Sequence, residues 1–159
     1  MSDADLLRLG RGVLAPTDAA DPVEWCEENV LSIPDSPLPG PFRSDRTPWI
    51  GEALRLATDP ETRLVTVLAS IQSGKTLFAR LLSCIIAARN PGPTLILQDN
   101  DQNARDFNLT ALRPLWDNCP AVMARIKPEM ERSSTVAFDR MTLWVLGAHN
   151  DKNLQRRSI

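Results

Sequence analysis

The stretch Leu64-Val65-Thr66-Val67-Leu68-Ala69-Ser70-Ile71-Gln72-Ser73-Gly74-Lys75-Thr76 constrains this chain more than any other. An apolar run of strand type meets Gly-Lys-Thr, and a long apolar stretch follows. Strand, tight loop and helix in that order make a phosphate-binding loop. Gly74 lets backbone N–H groups approach phosphate oxygens, Lys75 reaches the outer phosphates, and the Thr76 hydroxyl ligates Mg²⁺. A helix starting near Lys75 aims its positive end at the anion. Ser70, Ile71, Gln72, Ser73, Gly74, Lys75 and Thr76 are therefore the candidate residues for binding ATP, with Thr76 also the candidate ligand of its Mg²⁺. The match to Gly-x-x-x-x-Gly-Lys-Ser/Thr is incomplete, because Ala69 stands where the first glycine belongs. The alternative is an ordinary helix start with a surface lysine.

Around this loop the pattern predicts an α/β chain. Residues 63–69 read as a strand and 75–89 as a buried helix, which Asn90-Pro91-Gly92-Pro93 stops. Thr94-Leu95-Ile96-Leu97-Gln98 reads as a second strand. Together these predict a right-handed parallel βαβ unit covered on both faces by helices. The expected fold is a P-loop NTPase-type three-layer sandwich with a mainly parallel sheet. After Asp99-Asn100-Asp101, one polar residue caps a helix through Gln102 toward Leu112, which Pro114 kinks or restarts. Val122 to Ile126 suggests a further short helix. Ser133 to Phe138 and Met141 to Ala148 read as a hairpin about Asp139-Arg140.

Upstream, Asp21 caps a helix through Val30 with Pro22 in its first turn, and weaker amphipathy runs through residues 1–15. Five prolines between 31 and 48 forbid regular helix or central strand. That run reads as an arm lying over the domain or as a linker, with a boundary placed between 1–41 and 42–159. Thr47 caps the next helix, Pro48 opens it, and Ile50, Ala53, Leu54 and Ala57 make one face. In many motor ATPases a helix just before the phosphate loop touches the adenine, which makes Arg46 and Trp49 candidates. Their alternative is packing plus a surface charge.

Charge separates the two parts. Residues 1–40 carry eight acidic and two basic side chains, whereas 41–159 carry 12 acidic and 16 basic. The second part tolerates a polyanionic partner without requiring one. Cys26, Cys84 and Cys119 are odd in number and lack a Cys-x-x-Cys spacing, which argues against disulfides or zinc. Cys84 reads as a small core residue. The first 20 residues lack an apolar signal region, and no run of 18 apolar residues offers a membrane span. Asp99 and Asp101 read as helix caps before metal ligands, His149 as a loop residue, and Lys152, Arg156 and Arg157 as a solvated loop before a DNA contact. Trp25, Trp116 and Trp144 read as packing anchors, and packing is also the first reading for Trp49.

Over residues 30–159 these features resemble the large subunit of double-stranded DNA phage terminase, of the lambda-like GpA type. The resemblance rests on the order of several short motifs. These are Arg46-Thr47-Pro48-Trp49, Ser70-Ile71-Gln72-Ser73-Gly74-Lys75-Thr76, Leu95-Ile96-Leu97-Gln98, and Phe107 with Leu112-Arg113-Pro114. Cys119-Pro120, Gly147-Ala148-His149-Asn150 and Leu154-Gln155-Arg156 complete it. It implies the ATPase part of a motor that packages DNA into a capsid in the bacterial host cytoplasm. The implied partners are double-stranded phage DNA, a small terminase subunit and the portal and procapsid, with no membrane. The implied cofactors are ATP and Mg²⁺.

Against the family pattern, Ala69 replaces a basic residue and Gln98-Asp99-Asn100 replaces Gln-Pro-Thr. The family's next strand ends in Asp-Glu, whose carboxylates hold Mg²⁺ and position water, and it lies beyond Ile159 together with the nuclease domain. The expectation is an incomplete sandwich lacking its second acidic strand. Such a chain is a truncated product or a piece of a longer protein, binds nucleotide, and hydrolyses it poorly alone. Other readings are a helicase-like P-loop ATPase, a small-molecule kinase without its lid and acid, and a non-catalytic remnant that docks a partner.

Overall fold

The structure, a computed structural model, describes residues 20–130, 132, 134–149 and 153. The amphipathic segment at 1–15 and the residues Asn150, Lys152, Leu154, Gln155, Arg156 and Arg157 lie outside them. Helix α1, Pro22–Asn29, begins where Asp21 Oδ1 accepts from the backbone N–H groups of Val23 and Glu24. Helix α2, Pro48–Thr58, follows the short 3₁₀ turn Ser44–Arg46. Pro48 occupies its first turn as expected, but Thr47 makes no capping bond and its Oγ1 is buried without a partner. Helix α3, Lys75–Arg89, has the bounds the sequence predicts.

α3 organises the core. Leu81, Cys84, Ile85, Ala87 and Ala88 are buried along it, and α1, α2 and the later helices pack around it. The three cysteines are buried free thiols. Burial pushes the Cys26 thiol far above its ordinary range, so it stays protonated and behaves as a small apolar group. The proline-rich run does not leave the domain. The backbone N–H of Ile33 donates to Gly40 at 2.9 Å and that of Phe42 to Val30 at 3.2 Å, which folds the run back and buries Phe42.

Strand β1, Thr94–Gln98, leads through Asn100, which caps α4, Asp101–Asp106, by accepting from the Asn103 N–H at 2.8 Å. The helical path continues as a π-helix, Phe107–Leu112, and then α5, Arg113–Asp117. Pro114 lacks an N–H, and the wide π turns before it absorb the missing hydrogen bond without a break. A short helix α6, Pro120–Met123, and a 3₁₀ turn, Pro128–Met130, lead to the hairpin of β2, Thr135–Ala137, and β3, Thr142–Gly147.

The sheet has the order β1-β3-β2, with β1 parallel to β3 and β2 antiparallel to it. It is a small mixed sheet in an α/β chain. The strand expected over 63–69 is not formed, so β1 takes β3 as its parallel partner and the expected βαβ unit is absent. Among the described residues no strand lies beside 63–69 to complete its hydrogen bonds. Leu64 is 83% exposed and Leu68 99%. Gly147 closes β3 against the start of α4, where a Cβ would stand 2.3 Å from the Asp101 backbone nitrogen. Its N–H donates to Asp101 Oδ1 at 3.0 Å.

Trp116 ties the hairpin to α3. It is fully buried, meets Phe138 edge to face at 5.6 Å, and donates from Nε1 to Ser83 Oγ on α3 at 3.0 Å. Ser83→Ala leaves that indole N–H unpaired in the core. The expected loss is about 1–3 kcal/mol of stability, read as a lower urea midpoint at unchanged m-value.

Candidate functional site

The helix α3 opens with Gly74, whose φ of +86° is a conformation that side chains disfavour. Two residues earlier Gln72 also has positive φ, at 60°, which is uncommon for a residue with a side chain. Left-handed residues in a tight turn point successive N–H groups inward and form an anion-binding concavity. The first N–H groups of a helix have no intrahelical partner, and α3 is long enough to present a developed dipole. A Cβ on Gly74 would meet Ile50 Cδ1 at 2.9 Å, so α2 presses directly on the loop. The residues present therefore fit a phosphate group.

Side chains brace the loop from within and from α2. Ser73 Oγ donates to the Ser70 carbonyl at 2.6 Å. Lys75 Nζ donates to the Ala69 carbonyl at 3.0 Å and also to the Ser70 carbonyl. Trp49 Nε1 donates to the Ser73 carbonyl at 2.7 Å. Trp49 is not a core residue, since 56% of it is exposed; its indole clasps the loop instead. Trp25 and Trp116 are buried as expected, and Trp144 is partly buried.

A cleft of about 680 Å³ collects most of the candidates. Arg46, Trp49, Gln72, Ser73, Gly74, Lys75 and Thr76 line it. Ser70 and Ile71 do not; they line a neighbouring groove of about 640 Å³ between α2 and residues 65–73. The cleft also recruits residues that pattern reading passed over: Asp35 and Ser36 from the proline-rich arm, Thr47, and Arg80 from α3. Arg46 touches the arm as well, with Nη1 donating to the Leu38 carbonyl at 3.4 Å. The signal for Arg80 was present, because one charge interrupts the apolar run Leu77-Phe78-Ala79-Arg80-Leu81-Leu82. Its partner was not visible: Arg80 Nη1 donates to Asp35 Oδ2 at 2.8 Å across 45 residues. That hydrogen bond holds the Asp35 carboxyl below the usual carboxylate range against the opposing effect of burial.

Asp99 and Asp101 are structural. Asp99 Oδ1 accepts from Asn103 Nδ2 at 2.7 Å, and Asp101 Oδ1 accepts from Asn153 Nδ2 at 2.9 Å as well as from Gly147. His149 is an exposed turn residue with Nδ1 against the Asp99 carbonyl. Among the described residues there is no cluster of His, Cys, Asp and Glu able to hold a metal by itself. None of their helices is long and apolar enough to cross a membrane.

Comparison with known proteins gives one finding. The family model described as the phage terminase large subunit gpA, ATPase domain, matches residues 36–159. Neither the curated proteins nor the solved structures yield a match.

The Asp35–Arg80 pair makes stability depend on pH. A carboxylate lowered in the folded state contributes stability fully above its unfolded pKa of about 3.9, and loses it as pH falls through the lowered value. Asp35→Asn should therefore reduce the urea midpoint at pH 6 and make progressively less difference as the pH is lowered below 4. A gap between the two proteins that stays constant with pH would exclude this origin.

Proposed function

The chain belongs to the gpA ATPase-domain family of phage terminase large subunits, and from that premise we propose that it binds ATP and Mg²⁺ at the loop Ser70–Thr76. In this reading residues 1–41 are an arm and 42–159 the ATPase part. The observation that carries it is the pair of left-handed residues, Gln72 and Gly74, at the head of α3, beside a cleft with Lys75 and Thr76 on its wall.

Each side chain then has a definite task. The loop N–H groups and the α3 terminus receive the phosphate charge. Lys75, whose Nζ donates to the Ala69 and Ser70 carbonyls, would hold the phosphate oxygens with its charge. Thr76 would hold, through its hydroxyl, the Mg²⁺ that accompanies the nucleotide. Trp49 keeps the Ser73 carbonyl turned away from the anion, and with Arg46 forms the side of the cleft facing the nucleoside. When bound, Mg·ATP supplies the phosphoryl group whose transfer to water drives a motor of this family.

Transfer to water needs a carboxylate free to orient the water and to help place the metal. Among the described residues Asp35 is the one carboxylate lining this cleft, and Arg80 occupies it. In this reading hydrolysis calls for a carboxylate other than those the described residues place at the cleft. Within a packaging assembly the partners are double-stranded phage DNA, a small terminase subunit and the portal of the procapsid, in the cytoplasm of the bacterial host.

Two measurements test this. In calorimetry Lys75→Ala should abolish Mg·ATP binding; binding equal to that of the unaltered chain would overturn the loop assignment. A phosphate-release assay on residues 1–159 alone should show negligible turnover, and robust turnover would mean that another carboxylate serves.

A further inference from the structure

Among the described residues Arg80 is the one charged side chain buried in the core, 3% exposed. It lies one turn beyond Thr76 on α3, and residues four apart share a helix face. Helical side chains lean toward the N-terminus, which carries this guanidinium back toward the phosphate loop. Thr76 and Arg80 line the same cleft.

The guanidinium is only partly satisfied. Nη1 donates to Asp35, whose side chain is 55% exposed, while Nε and Nη2 are buried with no partner. Leaving two donors of a buried cation idle is unfavourable, and an aliphatic residue would suit the surrounding run of leucines without that cost. The idle pair is also specific in shape. Nε and Nη2 form one edge of the planar guanidinium, a fork that matches two oxygens of a phosphate.

We propose that Arg80 is a second phosphate-binding group of this cleft, with its Nε–Nη2 edge the fork and Asp35 the positioning residue that holds the remaining nitrogen. The ligand is the polyphosphate of a nucleotide, so the proposal rests on the nucleotide reading given above and adds a binding residue to it. Lys75 grips the anion from the loop, and Arg80 grips it from one turn down the helix. Asp35 ties the fork to the proline-rich arm, so the arm forms part of the site without touching the ligand.

The test is calorimetric titration with Mg·ATP and, separately, with inorganic tripolyphosphate, which carries the charge and no nucleoside. Arg80→Leu should keep or raise the urea midpoint and weaken both ligands by about tenfold or more, the worth of a charge-assisted fork. Arg80→Lys keeps the charge but not the fork, and should weaken both as well; it decides the matter if the leucine variant does not fold. Asp35→Asn should weaken both by a smaller factor, and should have no further effect in the Arg80→Leu background. Undiminished affinity in Arg80→Leu, or in Arg80→Lys if only that variant folds, overturns the proposal. So does weaker Mg·ATP binding with unchanged tripolyphosphate binding, which would place Arg80 at the nucleoside. Those results leave the loop assignment standing if Lys75→Ala still abolishes binding. Absence of any binding by the unaltered chain would instead sink the nucleotide reading, and this proposal with it.

Discussion

The burial of α3 on several sides fixes everything else in this chain. Leu81, Cys84, Ile85, Ala87 and Ala88 face a core built from α1, α2 and the helices after β1. A helix held that way cannot rotate or slide without opening cavities, and such cavities cost several kcal/mol each, roughly 2–5 for a buried leucine. The direction of its N-terminus is therefore set by apolar packing far from the loop. Ser83 adds a directional lock, because its Oγ takes the Trp116 indole and its position on α3 admits no neighbouring register. The loop inherits its placement from this helix. Ile50 of α2 approaches Gly74 so closely that an added Cβ would have to displace its Cδ1, in a conformation of φ +86° that already favours glycine.

The charge asymmetry along the chain finds its use in the same place. The acidic N-terminal part meets the more basic remainder at specific points. Asp21 pairs with Arg55 at 2.5 Å, Glu27 accepts from the Ser44 N–H at 2.7 Å, and Asp35 pairs with Arg80 at 2.8 Å. The first two are partly or well exposed and contribute little individually. Their effect is to register α1 on α2 and on the turn before it, which apolar contacts from Val23, Cys26, Val30 and Phe42 then secure. The third differs because its cation is buried. A surface pair between the same residues would explain itself; a buried guanidinium with two unpartnered nitrogens, on a residue that lines the cleft, does not.

Local signals were legible in the sequence and long-range pairings were not. Lys75–Arg89, Thr94–Gln98, the Asp21 cap, the Asn100 region as a helix start and the hairpin around Asp139-Arg140 all follow from period, caps and turn residues within a few positions of one another. The residues Gln72 to Thr76, Arg46 and Trp49 meet in one cleft because the loop and the turn before α2 are both local features that α3 brings together. Three things escaped. The Asp35–Arg80 contact depends on how a proline-rich run folds back, and composition forbids helix there without saying where the run goes. The π turns before Pro114 are a compromise between a missing N–H and the need to bury Leu112, Leu115 and Trp116 on one side. The strand at 63–69 has the right residues, but propensity describes how a residue fits a sheet, and a strand exists only where a neighbour completes its ladder.

That last difference bears on how the loop keeps its shape. A phosphate loop is ordinarily hung between a paired strand and a helix, so loss of the strand should leave one end slack. Here the slack end is tied from the other side. The Ser73 carbonyl is held by Trp49, the Ser70 carbonyl by Ser73 and Lys75, and Gly74 by the press of Ile50. Each tie originates in α2 or within the loop, and none needs the residues before Ala69. The turn at Gln72 and Gly74 is therefore held by α2 and by bonds within the loop, while Leu64, Leu68 and Ile71 remain exposed beside it. Apolar side chains and unpaired backbone exposed together form an edge that favours pairing with another strand. A strand added there would bury those side chains without having to reshape the loop, since the ties that hold it come from α2 and from within it.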